Sequence, residues 1–191
     1  LGDVYKRQYI TFVANEIDFM DSDRYSIHFS PLQGYTDRIY RNAFAHYFGG
    51  VEVYYTPFIR VEKGALRKRD LRDIEPETNT VADLIPQILP GSADEFRLLT
   101  DAVGEKGYRQ IDINLGCPFP MIAGKHKGAG MLLYPAQVAE VLAPIAEYPE
   151  IQFSLKMRLG WENASECMVL VELLNTLRLS RIALHLSLIH I

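Results

Sequence analysis

The sequence predicts an α/β fold of parallel strands with covering helices, on three observations. Short apolar or alternating runs are followed repeatedly by stretches of helical periodicity, the alternation that parallel sheets require. The strand-like runs stop at Gly or Pro breaks with polar side chains at their ends. Gln110-Ile-Asp-Ile-Asn-Leu-Gly-Cys117-Pro118 and Phe153-Ser-Leu-Lys156-Met-Arg158-Leu-Gly-Trp161 are the clearest cases. No internal repeat or low-complexity linker divides the chain, so no internal domain boundary is expected.

Taken in order, residues 27–31 read as the first strand, stopped by Pro31, and 38–48 as a helix closed by Gly49-Gly50. Residues 51–55 form the second strand. The third, 84–89, is apolar except for Gln87, and Ser92 then caps a helix with Phe96, Leu99 and Val103 on one face. In the fourth, 111–115, Ile111, Ile113 and Leu115 share one face while Asp112 and Asn114 take the other, which suits a barrel interior or an active-site floor. A helix at 136–146 leads to a fifth strand, 151–156. Another at 165–177 carries Cys167, Leu170, Leu174 and Leu177 on its apolar face and leads to a sixth strand, 182–185.

Candidate chemistry gathers at the strand ends, where parallel α/β proteins place their active sites. Gly116 frees the backbone to turn, Cys117 sits at the strand exit, and Pro118 stiffens the loop beyond it, so this thiol is positioned for use. Cys167, on a helix's apolar face, reads as core. Gln87 is a buried amide needing a partner, either a ligand or neighbouring backbone. Lys156 places a cation at the inner end of an apolar strand and needs a counter-charge. Arg158 follows on the same face, and a salt bridge to Asp112 is open to either cation.

Composition is ordinary for a globular domain, 48% hydrophobic and 23% charged. Two cysteines in unlike contexts give no disulfide framework and favour a reducing compartment, with the cytoplasm as the expected location. No apolar run approaches the roughly 20 residues of a membrane span, and no signal-peptide pattern opens the chain. A net charge of −4 excludes a globally basic nucleic-acid binder but not a local basic surface. Lys63 with Arg67, Lys68, Arg69 and Arg72, and Lys125-His126-Lys127 beyond Cys117, are the candidates; Asp70, Asp73 and Glu75 dilute the first.

The motifs Ser30-Pro31-Leu32-Gln33-Gly34-Tyr35-Thr36-Asp37, Ile85-Pro86-Gln87-Ile88-Leu89-Pro90-Gly91, Ile111 to Pro118, Gly128-Ala-Gly-Met-Leu-Leu133, Lys156 to Trp161 and Ile182-Ala-Leu-His185 occur in an order that resembles the tRNA-dihydrouridine synthases. The resemblance covers about 27–185 and implies a partial TIM (β/α)8 barrel, roughly its first six strands, because a complete one takes about 250 residues. It implies FMN held through Pro31, Leu32, Gln33, Gln87, Lys156 and His185, with NADPH as reductant and tRNA as substrate. Hydride would pass to uracil C6 while Cys117 protonates C5 as general acid, with Asn114 and Arg158 contacting the substrate; no metal is implied.

Two departures stand out: Leu32 replaces the family's common Met, and Phe119-Pro120-Met121 intervenes before the basic residues of the catalytic loop. The loops of the last two strands, which in the family hold the flavin phosphate, lie beyond the resemblance. The isolated 191-residue chain is therefore expected to be inactive and to bind FMN weakly or not at all. Dihydroorotate dehydrogenases, also FMN barrels with an Asn-x-x-Cys-Pro run, are the alternative; they usually carry Asn where Phe119 stands. A non-catalytic barrel remnant is the other.

The two ends read as tails. Asp3-Val-Tyr-Lys-Arg-Gln8 can be encoded by GAT GTG TAT AAG AGA CAG, whose reverse complement encodes Leu-Ser-Leu-Ile-His-Ile, the residues 186–191. Ends related by strand inversion look like one sequencing adapter of the transposase mosaic-end type, so 1–8 and 186–191 are set apart from a catalytic domain at 9–185. Omitting Asp3, Lys6 and Arg7 leaves a charge of −5. An uninterrupted genomic copy is expected to continue past His185 with unrelated codons; sequencing that locus and finding Leu-Ser-Leu-Ile-His-Ile there would overturn the assignment.

Overall fold

A computed structural model describes residues 9–12 and 26–188. The elements are β1 (Tyr9–Phe12), β2 (His28–Phe29), α1 (Arg38–Tyr47), β3 (Val53–Tyr55), β4 (Val61–Glu62), β5 (Ala65–Leu66), α2 (Lys68–Asp73), β6 (Leu84–Ile85), β7 (Gln87–Ile88) and α3 (Ala93–Gly104). After these come β8 (Gln110–Leu115), α4 (Pro120–Ala123), α5 (Pro135–Leu142), β9 (Gln152–Gly160), α6 (Glu166–Leu174) and β10 (Leu179–Leu188).

The expected third strand is two short ones, because Pro86 has no N–H to give a ladder. β6 pairs with β3 and β7 with β8, while the Pro86 carbonyl still accepts from Asp112 N at 2.9 Å. The bend thus joins two sheets into one curved surface ordered β2, β3, β6/β7, β8, β9, β10, with all neighbours parallel. β1 adds to the far edge antiparallel. Arg181 of β10 donates to Tyr55 Oη at 2.6 Å and meets His28 Nδ1 at 3.0 Å, so the sixth parallel run lies across from the first two. This is the partial TIM-type barrel that the sequence predicts.

Alternation along the strands separates an outer apolar face from a polar interior. Ile111, Ile113, Leu115, Phe153, Leu155 and Met157 pack with Phe96, Leu99 and Val103 of α3, Val138 and Val141 of α5, and Leu170 and Leu174 of α6 in one core. Cys167 is buried in that core, as expected. Ser92 accepts from Glu95 N at 3.2 Å and caps α3; Asp37 does the same for α1 through Tyr40 N at 3.1 Å.

Several boundaries differ from the sequence-based expectation for local reasons. β2 is only two residues long because Pro31 cannot extend its ladder. α5 stops at Leu142 and continues as a 3-10 turn around Pro144. The β4–β5 hairpin is not anticipated by the sequence pattern; its turn is Lys63-Gly64, both with positive φ. β10 begins three residues early and stays paired to Leu188, since a ladder demands only extended backbone. Residues 1–8 and 189–191 of the assigned tails lie outside the described residues.

Arg41 fixes the first βα loop to α2. Fully buried, it donates to Thr36 O at 2.8 Å, to Asp73 Oδ2 at 2.8 Å, to Asp73 O at 2.9 Å and to Asn79 Oδ1 at 2.8 Å. Removing one partner of a buried pair strands the other charge, so Asp73→Ala is expected to lower stability by about 3–5 kcal/mol. Urea unfolding followed by circular dichroism would check this, and a loss within ~0.5 kcal/mol would show that the pair is not needed.

Candidate active site at the strand ends

The polar faces of β7, β8 and β9 meet inside the barrel. Asp112, 2% exposed, accepts from Gln87 Nε2 at 2.6 Å and from Ser154 Oγ at 2.6 Å. Gln87 Oε1 accepts from Asn114 Nδ2 at 2.7 Å. Asn114 Oδ1 in turn accepts from Gly116 N at 3.0 Å and Cys117 N at 2.9 Å. Four side chains from three strands therefore form one chain of hydrogen bonds ending at the Cys117 loop. Gln87 is satisfied by side chains, not by the neighbouring backbone.

Both peptide groups next to the thiol are held. Arg158 Nε donates to Gly116 O at 2.9 Å, and Ala129 N donates to Cys117 O at 3.0 Å. Gly128 makes that second contact possible: its φ is +56°, and a Cβ there would stand 2.9 Å from Cys117 O. Gly116, read as the turning residue, is not in the left-handed region; that conformation falls to His126 and Gly128 further along. The Cys117 side chain is half-buried against Phe58, Leu89 and Ile122, while Phe119 and Met121 beyond it are exposed.

Burial pushes the Cys117 thiol up, against the pull of the Phe119 N–H and the cations Arg158, Arg60 and Lys156. Lys125, His126 and Lys127 of the same loop are not among the cations acting on it. Lys127 donates instead to Glu95, at 2.7 Å and 2.5 Å, and Lys125 and His126 are exposed. A thiol raised in this way stays protonated at neutral pH.

Lys156 pairs in register with Asn114 on one side and Ala183 on the other. Among the described residues its ammonium makes no hydrogen bond or ion pair, so the salt bridge to Asp112 open on sequence grounds does not form there. Burial holds its pKa down, while Asp112 acts through space in the other direction. Arg158 lies beside the half-buried His185 in the β9–β10 ladder.

Pro31, Leu32 and Gln33 form a turn closed by Thr36. Leu32 N donates to Thr36 Oγ1 at 2.8 Å, Tyr35 N and Thr36 N both donate to Leu32 O at 3.1 Å, and Gly34 takes φ +88°. Leu32 and Gln33 are thereby left exposed at the rim. The structure thus brings Gln87, Asn114, Cys117, Lys156 and Arg158 into one neighbourhood, with residues 31–33 and His185 at the ends of the first and sixth parallel runs.

Sequence reasoning missed Ser154, Arg60 and the interior set His28, Tyr55 and Arg181. Ser154 was signalled by its period-2 relation to Lys156 and Arg158; nothing local marked the others. In the first basic cluster Arg67 is spent on Glu62 at 3.2 Å and Asp70 at 3.9 Å, whereas Lys63, Lys68, Arg69 and Arg72 are exposed. No metal-binding group of His, Cys, Asp and Glu occurs among the described residues, and no single helix there is long and apolar enough to cross a membrane.

A parallel α/β barrel with a pinned strand-end thiol and half-buried cations defines a class of barrel enzyme sites. A family model described as dihydrouridine synthase (Dus) matches residues 28–185. The chain is 31% identical over 144 residues to the probable tRNA-dihydrouridine synthase 2 of Bacillus subtilis, covering 72% of this chain and 42% of that protein. It is 30% identical over 140 residues to tRNA-dihydrouridine synthase B of Pseudomonas putida, covering 72% and 40%. It is 29% identical over 167 residues to the tRNA-dihydrouridine(16) synthase of Haemophilus ducreyi, covering 82% and 50%. The chain belongs to the dihydrouridine synthase family, and it spans about half or less of the length of these curated relatives.

Iodoacetamide labelling checks the thiol's state. A raised thiol pKa means that Cys117 labelling rises with pH around a midpoint above the ~8.5 of an unperturbed cysteine. The neutral thiol's contribution to stability holds below the unfolded pKa and is lost as pH rises through the folded one. Lys156→Met, which removes a cation without removing a bond to the loop, is expected to move the midpoint higher still. A midpoint below about 8 in the unaltered chain would contradict this.

Proposed function

We propose that the protein carrying these residues reduces uridine in tRNA to 5,6-dihydrouridine, in the cytoplasm, with FMN as cofactor, NADPH as reductant and Cys117 as general acid. The observation that carries this reading is the pinned Cys117 thiol, whose burial favours its protonated form, on the same rim as a half-buried Lys156 ammonium that has no bond among the described residues. The printed names of the relatives supply the substrate class.

The residues present fit a flavin. A desolvated ammonium without a bond calls for an electron-rich partner, and the carbonyl and nitrogen edge of an isoalloxazine ring is one. Lys156 would hold that edge, Pro31, Leu32 and Gln33 would lie along the ring's face, and His185 would border it from the sixth run. Gln87 has one N–H beyond its bonds to Asp112 and Asn114, and this is what it can offer. When bound, FMN supplies the hydride chemistry.

The chain's own groups do the rest. Cys117 holds a proton on Sγ and delivers it to C5 of the base as a general acid. Asn114 already spends its carbonyl on the loop and one amide hydrogen on Gln87, leaving one hydrogen for a uracil oxygen. Arg158 clamps Gly116 and would contact the substrate from there. A uridine must leave its stack to reach this site, and the exposed Phe119 and Met121 are apolar surface on which a displaced base can rest. Lys63, Lys68, Arg69, Arg72 and Lys125 are exposed and suited to phosphates.

The test is to express the full reading frame containing residues 9–185, incubate it with unmodified tRNA, FMN and NADPH, and count dihydrouridine by mass spectrometry. Cys117→Ala is expected to slow formation about 10²–10⁴-fold, the usual weight of a general acid. Undiminished dihydrouridine in Cys117→Ala would remove Cys117 from the mechanism, and none from the unaltered frame would remove the function.

A further inference from the structure

We infer that Asp112 and Gln87 are positioning residues: an acceptor at Asp112 orders two successive amides and thereby holds the Cys117 loop in place. The geometry is the hydrogen-bonded chain Ser154, Asp112, Gln87, Asn114 and the N–H groups of Gly116 and Cys117, with links between 2.6 Å and 3.0 Å. An amide side chain carries a donor and an acceptor that can exchange places by a half-turn, and the two loop N–H groups, which only donate, require Asn114 to show them its oxygen. A carboxylate has no such freedom, because when ionised it only accepts.

Direction is set link by link. Asp112 Oδ2 admits only the NH2 end of Gln87, which turns Oε1 toward Asn114. Oε1 then admits only the NH2 end of Asn114, which turns Oδ1 toward the loop, where Gly116 N and Cys117 N both donate to it. Ser154 Oγ supplies Asp112 with its second donor, so the buried charge stays bonded on both oxygens. Gln87 and Asp112 are 1% and 2% exposed, which keeps water from replacing any upstream link. The consequence is reach: Asp112 touches neither the thiol nor its loop, yet it supplies the acceptor that lets Gln87 and Asn114 keep the order the loop N–H groups require.

The catalytic significance of this positioning rests on Cys117 being the acid, but its test uses neither flavin nor RNA, so a failure there would leave the proposed function untouched. The measurement is amide hydrogen exchange by NMR on the ¹⁵N-labelled full chain. In Gln87→Met, of similar volume but unable to bond, the Gly116 and Cys117 amides are expected to exchange at least about tenfold faster while Ile113 and Leu155 stay within about twofold. Asp112→Asn, whose amide can accept from Gln87 and donate to Ser154, is expected to keep both loop amides within about twofold of the unaltered chain. Asp112→Leu, which can accept from no neighbour, should instead behave like Gln87→Met. Loop amides unchanged in Gln87→Met would overturn the inference. Should that variant loosen the strands too, the unaltered chain decides: side-chain amide protons of Gln87 and Asn114 must be protected like strand amides, and rapid exchange there would overturn it.

Discussion

A carboxylate sealed inside a barrel must be bonded on all sides or not be there, and Asp112 meets that condition only if three strands keep their register. Gln87 on β7 and Ser154 on β9 reach its two oxygens because both stand opposite it in the ladders, Gln87 with Asp112 and Asp112 with Ser154. A slip of one residue in either strand would turn the bonding side chain to the apolar outer face. The same side chains that satisfy the charge therefore also hold the strand ends from which the site is built. Structure and chemistry share one network here, which explains why the interior of this barrel is polar while its outer face is apolar.

Above that network the site combines rigidity with unspent valence. The Cys117 peptide is tied through N–H to Asn114 and through C=O to Ala129, with Gly116 clamped by Arg158. On the proposed reading, preorganisation of this sort lets a weak acid act without first ordering its loop. Lys156 is the counterpart: desolvated, set between Asn114 and Ala183, and bonded to nothing among the described residues. A rigid thiol loop beside a desolvated, unbonded cation is the arrangement on which the proposed flavin site rests.

Most of the architecture was legible because it rests on periodicity. Strand and helix alternation, the Ser92 cap, the core face of α3 and the burial of Cys167 all follow from local patterns that the tertiary structure has no reason to override. The boundaries were less legible where proline decides them, at Pro31, Pro86 and Pro144, since a missing N–H ends a ladder one or two residues before an apolar pattern does. The β4–β5 hairpin escaped because its strands are two residues each, too short for any period to show.

For the site, the amino-acid order by itself determined which chemical groups stand at strand ends: a thiol at Cys117, cations at Lys156 and Arg158, amides at Gln33, Gln87 and Asn114. Strand alternation turns Gln87, Asn114, Lys156 and Arg158 inward and needs no coordinates, while Gln33 and Cys117 stand on the loops beyond their strands. Only the tertiary structure decided how they are spent. Gln87 turned out to be bonded to Asp112 and Asn114, Asn114 to the Cys117 loop, Lys127 to Glu95, and Lys156 to no described residue. Those outcomes depend on strand register and loop path, which place residues dozens apart within 3 Å of each other, and a one-dimensional pattern carries no information about such meetings.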